Sequence, residues 1–230
     1  TGVNWEDFKT ISEILESINK SGLISFTGFL THAGNSYKSR SISEIQTVHE
    51  ESTFRMVSLK KHFIPEYPDL IISVGDTPTC STMEDFSMVD EIRPGNYVFY
   101  DVSQTIIGSC SPGQVAVSMA CPVVVVHKER NEIVIYGGSV HFAKDNITDQ
   151  NGITIYGKVV RNKDNGWGEV IEGSCLKSIS QEHGIVSVPA DVINDYEPGD
   201  IIKILPVHSC TTANLMKEYL TVTGRKISMM

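Results

Sequence analysis

The stretch LIISVGDTPT, residues 70–79, joins a short aliphatic run to a polar loop that begins at Gly75. The same order occurs upstream, where LISFTGFL at residues 23–30 runs into a polar loop over residues 31–39. Short, mostly apolar runs of this kind are typical of parallel strands that are covered on both faces. The two strand-and-loop segments therefore predict a layer of parallel α/β structure in the first third of the chain.

Helical periodicity surrounds these two strands. Apolar residues follow Asn4 and Asp7, which resemble an N-cap pair, at helical spacing up to Ile18, and Gly22 predicts the end of that helix. A second helix is predicted over residues 42–59. Two strands and two helices can neither cover both faces of a parallel sheet nor close a barrel, so we expect the chain to be part of a longer protein.

The pattern changes near residue 90, where short β-rich runs separated by turns begin. These runs cover residues 97–102, 115–127, 133–137, 153–160, 169–175, 184–188 and 200–205. Turn residues at 164–166 and 197–200 predict tight turns, and a short helix at 212–220 and a strand at 220–227 follow. We therefore predict a piece of an α/β domain over residues 1–89 and a mostly antiparallel β domain over residues 90–230.

The composition argues against several classes of protein. The chain carries 19 Lys and Arg against 28 Asp and Glu, a net charge of −9, whereas a nucleic-acid-binding protein normally presents a basic face. The longest apolar stretch, residues 115–126, contains Ser118 and Pro122 and is shorter than the roughly 20 apolar residues that cross a bilayer. No signal peptide is visible at the start of the sequence. Five cysteines without regular spacing do not indicate a disulfide framework, so we expect a reduced, cytoplasmic compartment, with no nucleic acid and no membrane as partner.

Two polar loops are candidate ligand-binding segments, because each follows a predicted parallel strand. HAGNSY at residues 32–37 offers an imidazole, a small hydroxyl and a phenol, and GDTPT at residues 75–79 offers backbone N–H groups and threonine hydroxyls. The carboxyl ends of parallel strands are where α/β folds bind ligands. Either loop alone is more simply a structural polar loop, but the two together favour a shared site for a phosphate or a carboxylate.

A third candidate is the segment that contains His208 and Cys210. If the local chain is extended, both side chains project from the same face, because side chains alternate along a strand. An imidazole and a thiolate suit Zn²⁺, and two protein ligands would leave open positions for water or substrate. The alternative is a core cysteine beside a partly buried histidine.

Two further segments carry polar groups whose role the sequence leaves open. GGSVH at residues 137–141, followed by Lys144 and Asp145, and QEHG at residues 181–184 are each consistent with part of a site and equally with a bulge or a turn. The remaining cysteines are predicted to be small apolar core residues, namely Cys80, Cys110, Cys121 and Cys175.

Taken in this order, six segments resemble the D-serine dehydratase and D-threonine aldolase family, which are pyridoxal-phosphate enzymes of the alanine-racemase-like fold type. The segments are HAGNSY (32–37), VGDTPT (74–79), EIRPGNYVFYD (91–101), GGSVHFAKD (137–145), QEHG (181–184) and PGDIIKILPVHSCTTANL (198–215). The last segment is the most specific of them, and the RPGNY run is the next.

The resemblance implies a fold for each part of the chain. Residues 1–89 would be the C-terminal part of a TIM-like (β/α) barrel that binds pyridoxal phosphate, and residues 90–230 would be a β domain that carries a metal. The Schiff-base lysine of the family lies near the start of the barrel, and no lysine of this chain lies in that context. The resemblance therefore assigns no catalytic residue here and implies that the chain is the C-terminal part of a longer enzyme.

The resemblance also implies which residues bind the cofactor. Tyr37 matches the tyrosine that contacts the cofactor phosphate, and Gly75, Asp76 and Thr77 match the loop around the same phosphate. The family often has a second histidine in the first loop, where this chain has Asn35. Any role of that histidine is therefore not carried over to this chain.

His208 and Cys210 match the two metal ligands of the family. The implied reaction is dehydration of a D-serine-like β-hydroxy amino acid to a 2-keto acid and ammonia, with pyridoxal phosphate and Zn²⁺. A cysteine at the second ligand position favours dehydration, since the aldolases tend to carry aspartate there. The alternatives are a metal-activated D-threonine aldolase, which would release glycine and an aldehyde, and a non-catalytic remnant without the Schiff-base lysine. Family members are commonly homodimers, so we expect a homodimer that acts on a small D-amino acid.

Overall fold

The computed structural model describes residues 2–149 and 152–229, and these divide into two compact units. The first unit runs to Gly95 and includes Ile107–Ser109, and the second comprises Asn96–Ile106 and the chain from Cys110 onward. The division falls close to the change of pattern near residue 90. The assignment of the first unit to a barrel domain stays a prediction.

Two long helices of the first unit begin and end at the residues that their caps dictate. Helix α1 spans Phe8–Ser21, where the Asp7 side chain accepts a hydrogen bond from the Thr10 N–H, and Gly22 ends it in the left-handed conformation at φ 64°. Helix α2 spans Ile42–Phe63, and its N-cap Ser41 accepts from the Glu44 N–H. Both helices are therefore present as the sequence predicts.

The described part of the first unit contains a parallel sheet with the order β1-β2-β3. Its strands are β1 (Gly28–Thr31), β2 (Ile71–Val74) and β3 (Glu91–Ile92), and the short helix α3 (Thr77–Thr82) follows β2. The predicted strand over residues 23–30 is shorter than expected, because the pairing with β2 begins only where Gly28 meets Ile71. The core is formed by residues of α1, α2 and β2 and by Leu70 directly before β2, namely Ile11, Leu15, Met56, Leu59, Phe63, Leu70, Ile72 and Val74.

The second unit is built on an antiparallel sheet that closes on itself. In the described ranges its strand order is β10-β11-β5-β4-β12-β8-β9, and a further pairing between β10 and β8 closes six of these strands into a barrel. The strands are β4 (Met119–His127), β5 (Glu132–Tyr136), β8 (Gly157–Lys163), β9 (Gly166–Val170), β10 (Cys175–Ile179), β11 (His183–Ser187) and β12 (Ile201–Pro206). The predicted antiparallel β domain is therefore present.

Short elements complete the second unit. They are the helices α4 (Val102–Ile107, of which Ile107 is counted with the first unit), α5 (Ser139–Phe142) and α6 (Ser209–Met216). Two antiparallel pairs join them, namely β6 (Ile147–Thr148) with β7 (Thr154–Ile155) and β13 (Glu218–Leu220) with β14 (Lys226–Ser228). The α6 helix begins and ends earlier than the predicted helix at 212–220. The predicted last strand at 220–227 is instead a hairpin of two short strands.

Alternation along the strands fills the barrel with β-branched and aliphatic side chains. In β12, Ile202 and Ile204 are fully buried while Ile201 is 41% exposed, as the two-residue period of a strand requires. The buried side chains of the barrel include Cys121, Val123, Ile133, Ile135, Val159, Leu176, Val186, Ile202 and Ile204. No helix in the two described ranges has both the length and the apolar character that a membrane crossing requires.

Two predicted strands are wrong for identifiable reasons. Residues 97–102 form a 3₁₀ turn at Asn96–Val98 and the start of α4, because the Asp101 carboxylate accepts from the Gln104 N–H at 2.9 Å and so stabilises the first turn of that helix. The predicted strand at 169–175 is interrupted between β9 and β10 at Gly173, whose φ of 73° is left-handed. In both places a local turn outweighs the β propensity of the neighbouring residues.

We expect Ile202→Ala to lower the free energy of unfolding by about 2–5 kcal/mol, because it removes a fully buried side chain from the barrel. The matched control is Ile201→Ala on the same strand, which should cost less than about 1 kcal/mol because that side chain is largely exposed. Urea denaturation of the intact protein, followed by circular dichroism, measures both values. Equal losses in the two variants would contradict the inward orientation of Ile202.

Candidate functional site

The loop after β2 is organised by a buried carboxylate. Asp76 is 3% exposed and is the N-cap of α3, where its oxygens accept from the Thr79 N–H at 2.8 Å and the Thr79 hydroxyl at 2.7 Å. The Ser36 hydroxyl also donates to Asp76, at 2.7 Å. Because Ser36 belongs to the loop after β1, this carboxylate joins the two loops.

The structure brings the two predicted ligand-binding loops of the first unit together. The Thr77 N–H donates to the Tyr37 hydroxyl at 3.3 Å, and the His32 Nδ1 lies 2.5 Å from the Gly75 carbonyl oxygen. At Gly75 an added Cβ would lie 2.8 Å from the Arg93 carbonyl oxygen, so only glycine allows this close approach of the two backbones. The loops at residues 32–37 and 75–79 are therefore in contact, as the sequence led us to expect.

The same contacts define what each of these residues can offer an anion. The Asp76 carboxylate is negative and already accepts three hydrogen bonds, so a phosphate contact from Asp76 would have to come from its backbone N–H. The Tyr37 hydroxyl accepts from the Thr77 N–H, and its own O–H is a donor of the kind that suits a phosphate oxygen. The donor set therefore fits a phosphate group, with the carboxylate in a structural role.

Arg93 is a residue of this region that sequence reasoning did not single out. Its Nε donates to the Ser73 hydroxyl at 2.6 Å, its Nη2 donates to the Thr31 carbonyl oxygen at 2.9 Å, and Glu91 lies 3.4 Å away. These partners lie at the ends of β1, β2 and β3, so the guanidinium ties together the edge of the sheet from which both loops leave. The sequence signal that could have identified Arg93 is its position in the RPGNY run.

His208 and Cys210 lie at the start of α6 and not on an extended segment. Strand β12 ends at Pro206, His208 is the N-cap of α6, and Cys210 is in the first turn of that helix. The His208 Nδ1 lies 3.1 Å from the Asp145 Oδ2, and the Thr211 hydroxyl donates to the same oxygen at 2.7 Å. The two predicted metal ligands are therefore positioned by a helix start, and Asp145 joins them.

A second carboxylate, Asp101, holds the other side of this helix start. Asp101 is 1% exposed and accepts from the Ser209 N–H at 3.1 Å and from the Asn96 amide at 2.5 Å, besides the Gln104 N–H. The Cys210 thiol lies 3.7 Å from the Asn96 Oδ1, in position to donate to it. The hydrogen bonds to Asp101 therefore fix both the backbone at Ser209 and the amide that contacts the thiol.

Burial changes the acidity of this carboxylate and this thiol. Burial raises the pKa of Asp101, although hydrogen bonds from Gln104, Asn96 and Ser209 and the charge of His208 partly oppose it. Burial also raises the pKa of the Cys210 thiol, and the negative charge of Asp101 raises it further. Without a cation beside it, the Cys210 side chain therefore favours the protonated thiol, whereas a bound metal ion would favour the thiolate.

The donor set at the start of α6 fits a metal with open coordination positions. In the part of the chain that the structure describes, no three His, Cys, Asp or Glu side chains come together as a metal-binding group. An imidazole and a thiol two residues apart, with a carboxylate on the Nδ1 side of the imidazole, are nevertheless the groups that a zinc ion takes. The start of α6 therefore offers two protein ligands to a metal ion, and the remaining coordination positions of the ion would be filled by other donors.

The other polar segments form a separate cluster in the second unit. His141 accepts a hydrogen bond from the Gly138 N–H at 3.1 Å, and the Tyr136 ring lies 5.0 Å from the His141 ring and 5.9 Å from the His183 ring. Burial lowers the pKa of His141, and the charge of Glu182 partly opposes that effect. Together with the hydrogen bond from the Gly137 N–H to the Glu182 carbonyl oxygen at 2.8 Å, these contacts join the chain that leaves β5 to the chain that enters β11.

Comparison with known proteins relates the chain to dehydratases of D-amino acids. A family model described as a putative serine dehydratase domain matches residues 116–222. The D-serine dehydratase of Dictyostelium discoideum is 30% identical over 211 residues, which cover 86% of this chain and 51% of that protein. The D-threo-3-hydroxyaspartate dehydratase of Delftia sp. (strain HT23) is 28% identical over 226 residues, which cover 95% of this chain and 58% of that protein. The chain thus spans about half the length of the curated relatives it matches.

Solved structures give the same relationship. The structure of the Delftia dehydratase matches with a TM-score of 0.86 at 27% identity, over 99% of this chain and 61% of that chain. An alanine-racemase-like protein from Idiomarina loihiensis matches with a TM-score of 0.82 at 28% identity, over 99% of this chain and 60% of that chain. The matches also include two variants of a D-threo-3-hydroxyaspartate dehydratase. One replaces a histidine by alanine, and the other, which is in the metal-free form, replaces the cysteine two positions later by alanine.

Sequence and structure therefore agree on one relationship. The family model lies over the barrel of the second unit and α6, and the dehydratase relatives extend over almost the whole chain. The chain is therefore similar, over almost its whole length, to the dehydratases of D-serine and of D-threo-3-hydroxyaspartate.

Proposed function

We propose that the protein to which this chain belongs dehydrates a D-serine-like β-hydroxy amino acid to a 2-keto acid and ammonia, with pyridoxal phosphate and Zn²⁺ as cofactors. The observation that carries the proposal is the pair His208 and Cys210 at the start of α6, with Asp145 on the Nδ1 side of the imidazole. The dehydratase relatives support it, since solved variants replace a histidine and a cysteine two positions later, the same spacing as His208 and Cys210, and the cysteine variant is described as a metal-free form.

The first unit would contribute to binding pyridoxal phosphate, as the C-terminal part of its barrel. The Tyr37 hydroxyl and the backbone N–H groups of the Gly75–Thr77 turn are the donors that would hold the phosphate. Asp76 would keep the turn in place from behind, through its hydrogen bonds to Ser36 and Thr79. When bound, the cofactor supplies an electron sink for charge that develops at the substrate Cα.

The second unit would hold the metal through the His208 imidazole and the Cys210 thiolate. A thiolate selects Zn²⁺ over harder ions such as Mn²⁺ or Mg²⁺. When bound, the zinc supplies Lewis-acid assistance to a leaving hydroxyl, which is otherwise a poor leaving group. Asp101 and Asn96 would hold the helix start in the geometry that presents the thiol. A homodimer, which the resemblance implies, belongs to the same proposal.

We expect the intact protein to convert D-serine or threo-3-hydroxy-D-aspartate to a keto acid and ammonia. The assay follows keto acid with lactate dehydrogenase or malate dehydrogenase, and it follows aldehyde in parallel with D-threonine as substrate. L-serine is the matched control and should give no keto acid. Release of glycine and an aldehyde in place of keto acid would contradict dehydration and favour the aldolase, and no turnover of any D-amino acid would favour the non-catalytic remnant.

We expect about one zinc per chain after mild dialysis, because an imidazole and a thiolate bind this ion tightly even in an open site. His208→Ala and Cys210→Ala should each weaken zinc binding by on the order of a hundredfold or more, since each removes half of the protein ligands. His127→Ala and Cys80→Ala are the controls, because His127 pairs with Glu129 at the end of β4 and Cys80 lies in α3 of the first unit. Elemental analysis measures the zinc content, and retention of zinc in both ligand variants would overturn the site.

We expect Tyr37→Phe to weaken binding of pyridoxal phosphate by about 1.5–3 kcal/mol, because one hydrogen bond to a charged phosphate is lost. That is between about a tenfold and a hundredfold rise in the dissociation constant, and excess cofactor should restore most of the rate. Tyr97→Phe is the control, since Tyr97 is 53% exposed and lies in the other unit. Cofactor titration followed by absorbance measures both, and an unchanged dissociation constant in Tyr37→Phe would remove Tyr37 from the phosphate site.

A further inference from the structure

The segment GGSVHFAKD, whose role the sequence left open, places the Asp145 side chain against the candidate metal ligand His208. Asp145 lies after α5, and its Oδ2 contacts both the His208 Nδ1, at 3.1 Å, and the Thr211 hydroxyl, at 2.7 Å. Asp145 is 63 residues away from His208 along the chain. The contact is therefore a product of the fold and not of local sequence.

We infer that Asp145 is a positioning residue for His208: it accepts the Nδ1–H and so presents the Nε2 lone pair to the metal. This inference rests on the proposed zinc site. A carboxylate oxygen only accepts hydrogen bonds, so the imidazole nitrogen that faces it must carry the hydrogen. The Nε2 atom is then the free ligand atom, and its basicity rises through the hydrogen bond on the opposite side of the ring.

Two structural features bring Asp145 to this position. Helix α5 is joined to α6 by the hydrogen bond from the Thr212 hydroxyl to the Phe142 carbonyl oxygen, at 3.3 Å. The chain then turns at Ala143, whose φ of 63° and ψ of −169° lie in a region that normally only glycine occupies. A non-glycine residue held in that conformation two residues before the carboxylate indicates that the surrounding contacts impose the turn.

The solvent exposure of His208 and Asp145 indicates that their contact orients the imidazole and does not stabilise the fold. The His208 and Asp145 side chains are 42% and 43% exposed, so water screens their attraction and the pair contributes little to folding. Their hydrogen bond nevertheless fixes the ring, because Thr211 holds the same carboxylate oxygen in place. Loss of Asp145 should therefore change metal affinity much more than thermal stability.

The experiment measures the zinc dissociation constant of the intact protein by competition with a chelator, together with the midpoint of thermal unfolding. Asp145→Ala should weaken zinc binding by about 10–100-fold while the unfolding midpoint of the metal-free protein changes little. The matched control is Glu129→Ala, since Glu129 lies 3.5 Å from the His127 Nδ1 in another exposed histidine–carboxylate pair of the same unit. It should leave the zinc affinity unchanged.

A conservative variant tests the role of the hydrogen bond. Asp145→Asn should retain most of the zinc affinity, because the amide oxygen can still accept from Nδ1–H. In the metal-free protein, the ¹⁵N chemical shifts of the His208 ring should show the Nδ1–H tautomer, and Asp145→Ala should lose that preference. Unchanged zinc affinity in Asp145→Ala, or equal losses in the Ala and Asn variants, would overturn the inference. Retention of zinc by His208→Ala would instead overturn the metal site itself, so the two failures are distinguishable.

Discussion

Closure of the barrel at Gly157 is the constraint on which the second unit depends. Gly157 pairs with Pro206 of β12 and with Leu176 of β10, so this one residue joins the two ends of the six-stranded ring. A Cβ at this position would lie 2.5 Å from the Ile204 Cγ2 and 2.7 Å from the Leu205 carbonyl oxygen, and therefore no larger residue allows the strands to approach. The Val207 N–H donates to the Tyr156 carbonyl oxygen beside it, which fixes the chain directly before His208.

Each unit uses one buried carboxylate to assemble its candidate site. Asp76 joins the loops after β1 and β2, and Asp101 joins the start of α4, the Asn96 amide and the Ser209 backbone. A carboxylate removed from water is costly unless its oxygens are hydrogen-bonded, and each of these accepts three such bonds. The same hydrogen bonds that stabilise the buried charge therefore hold the loops that carry the candidate ligands.

The half-exposed Asp145 has a different role from these buried carboxylates. Asp101 is enclosed and structural, whereas Asp145 faces the imidazole that we assign to the metal. A ligand histidine needs a fixed tautomer and a fixed ring plane, and a partner on its second nitrogen supplies both. The helix start at His208 is consequently held from two sides: Asp101 fixes its backbone, and Asp145 orients its side chain.

Much of the local structure followed from the sequence, because its causes are local. The caps at Asp7 and Gly22 bound the first helix, and the β-rich run at residues 200–205 marked β12. The rule that ligands bind at the carboxyl ends of parallel strands was sufficient to predict that the loops 32–37 and 75–79 meet. The sequence also singled out His208 and Cys210 as a pair, although it did not determine that they lie at the start of a helix.

Only the tertiary structure decided the features that depend on distant partners. The Asp101 carboxylate caps α4 locally, at the Gln104 N–H, but its second role, as acceptor for the Ser209 N–H 108 residues further along the chain, comes only from the fold. Arg93 and Asp145 acquire their roles from residues that lie 20 to 66 positions away along the chain. Sequence periodicity reports which face of an element is apolar, but which polar side chains meet is set by how the elements pack, and that is determined by long-range contacts.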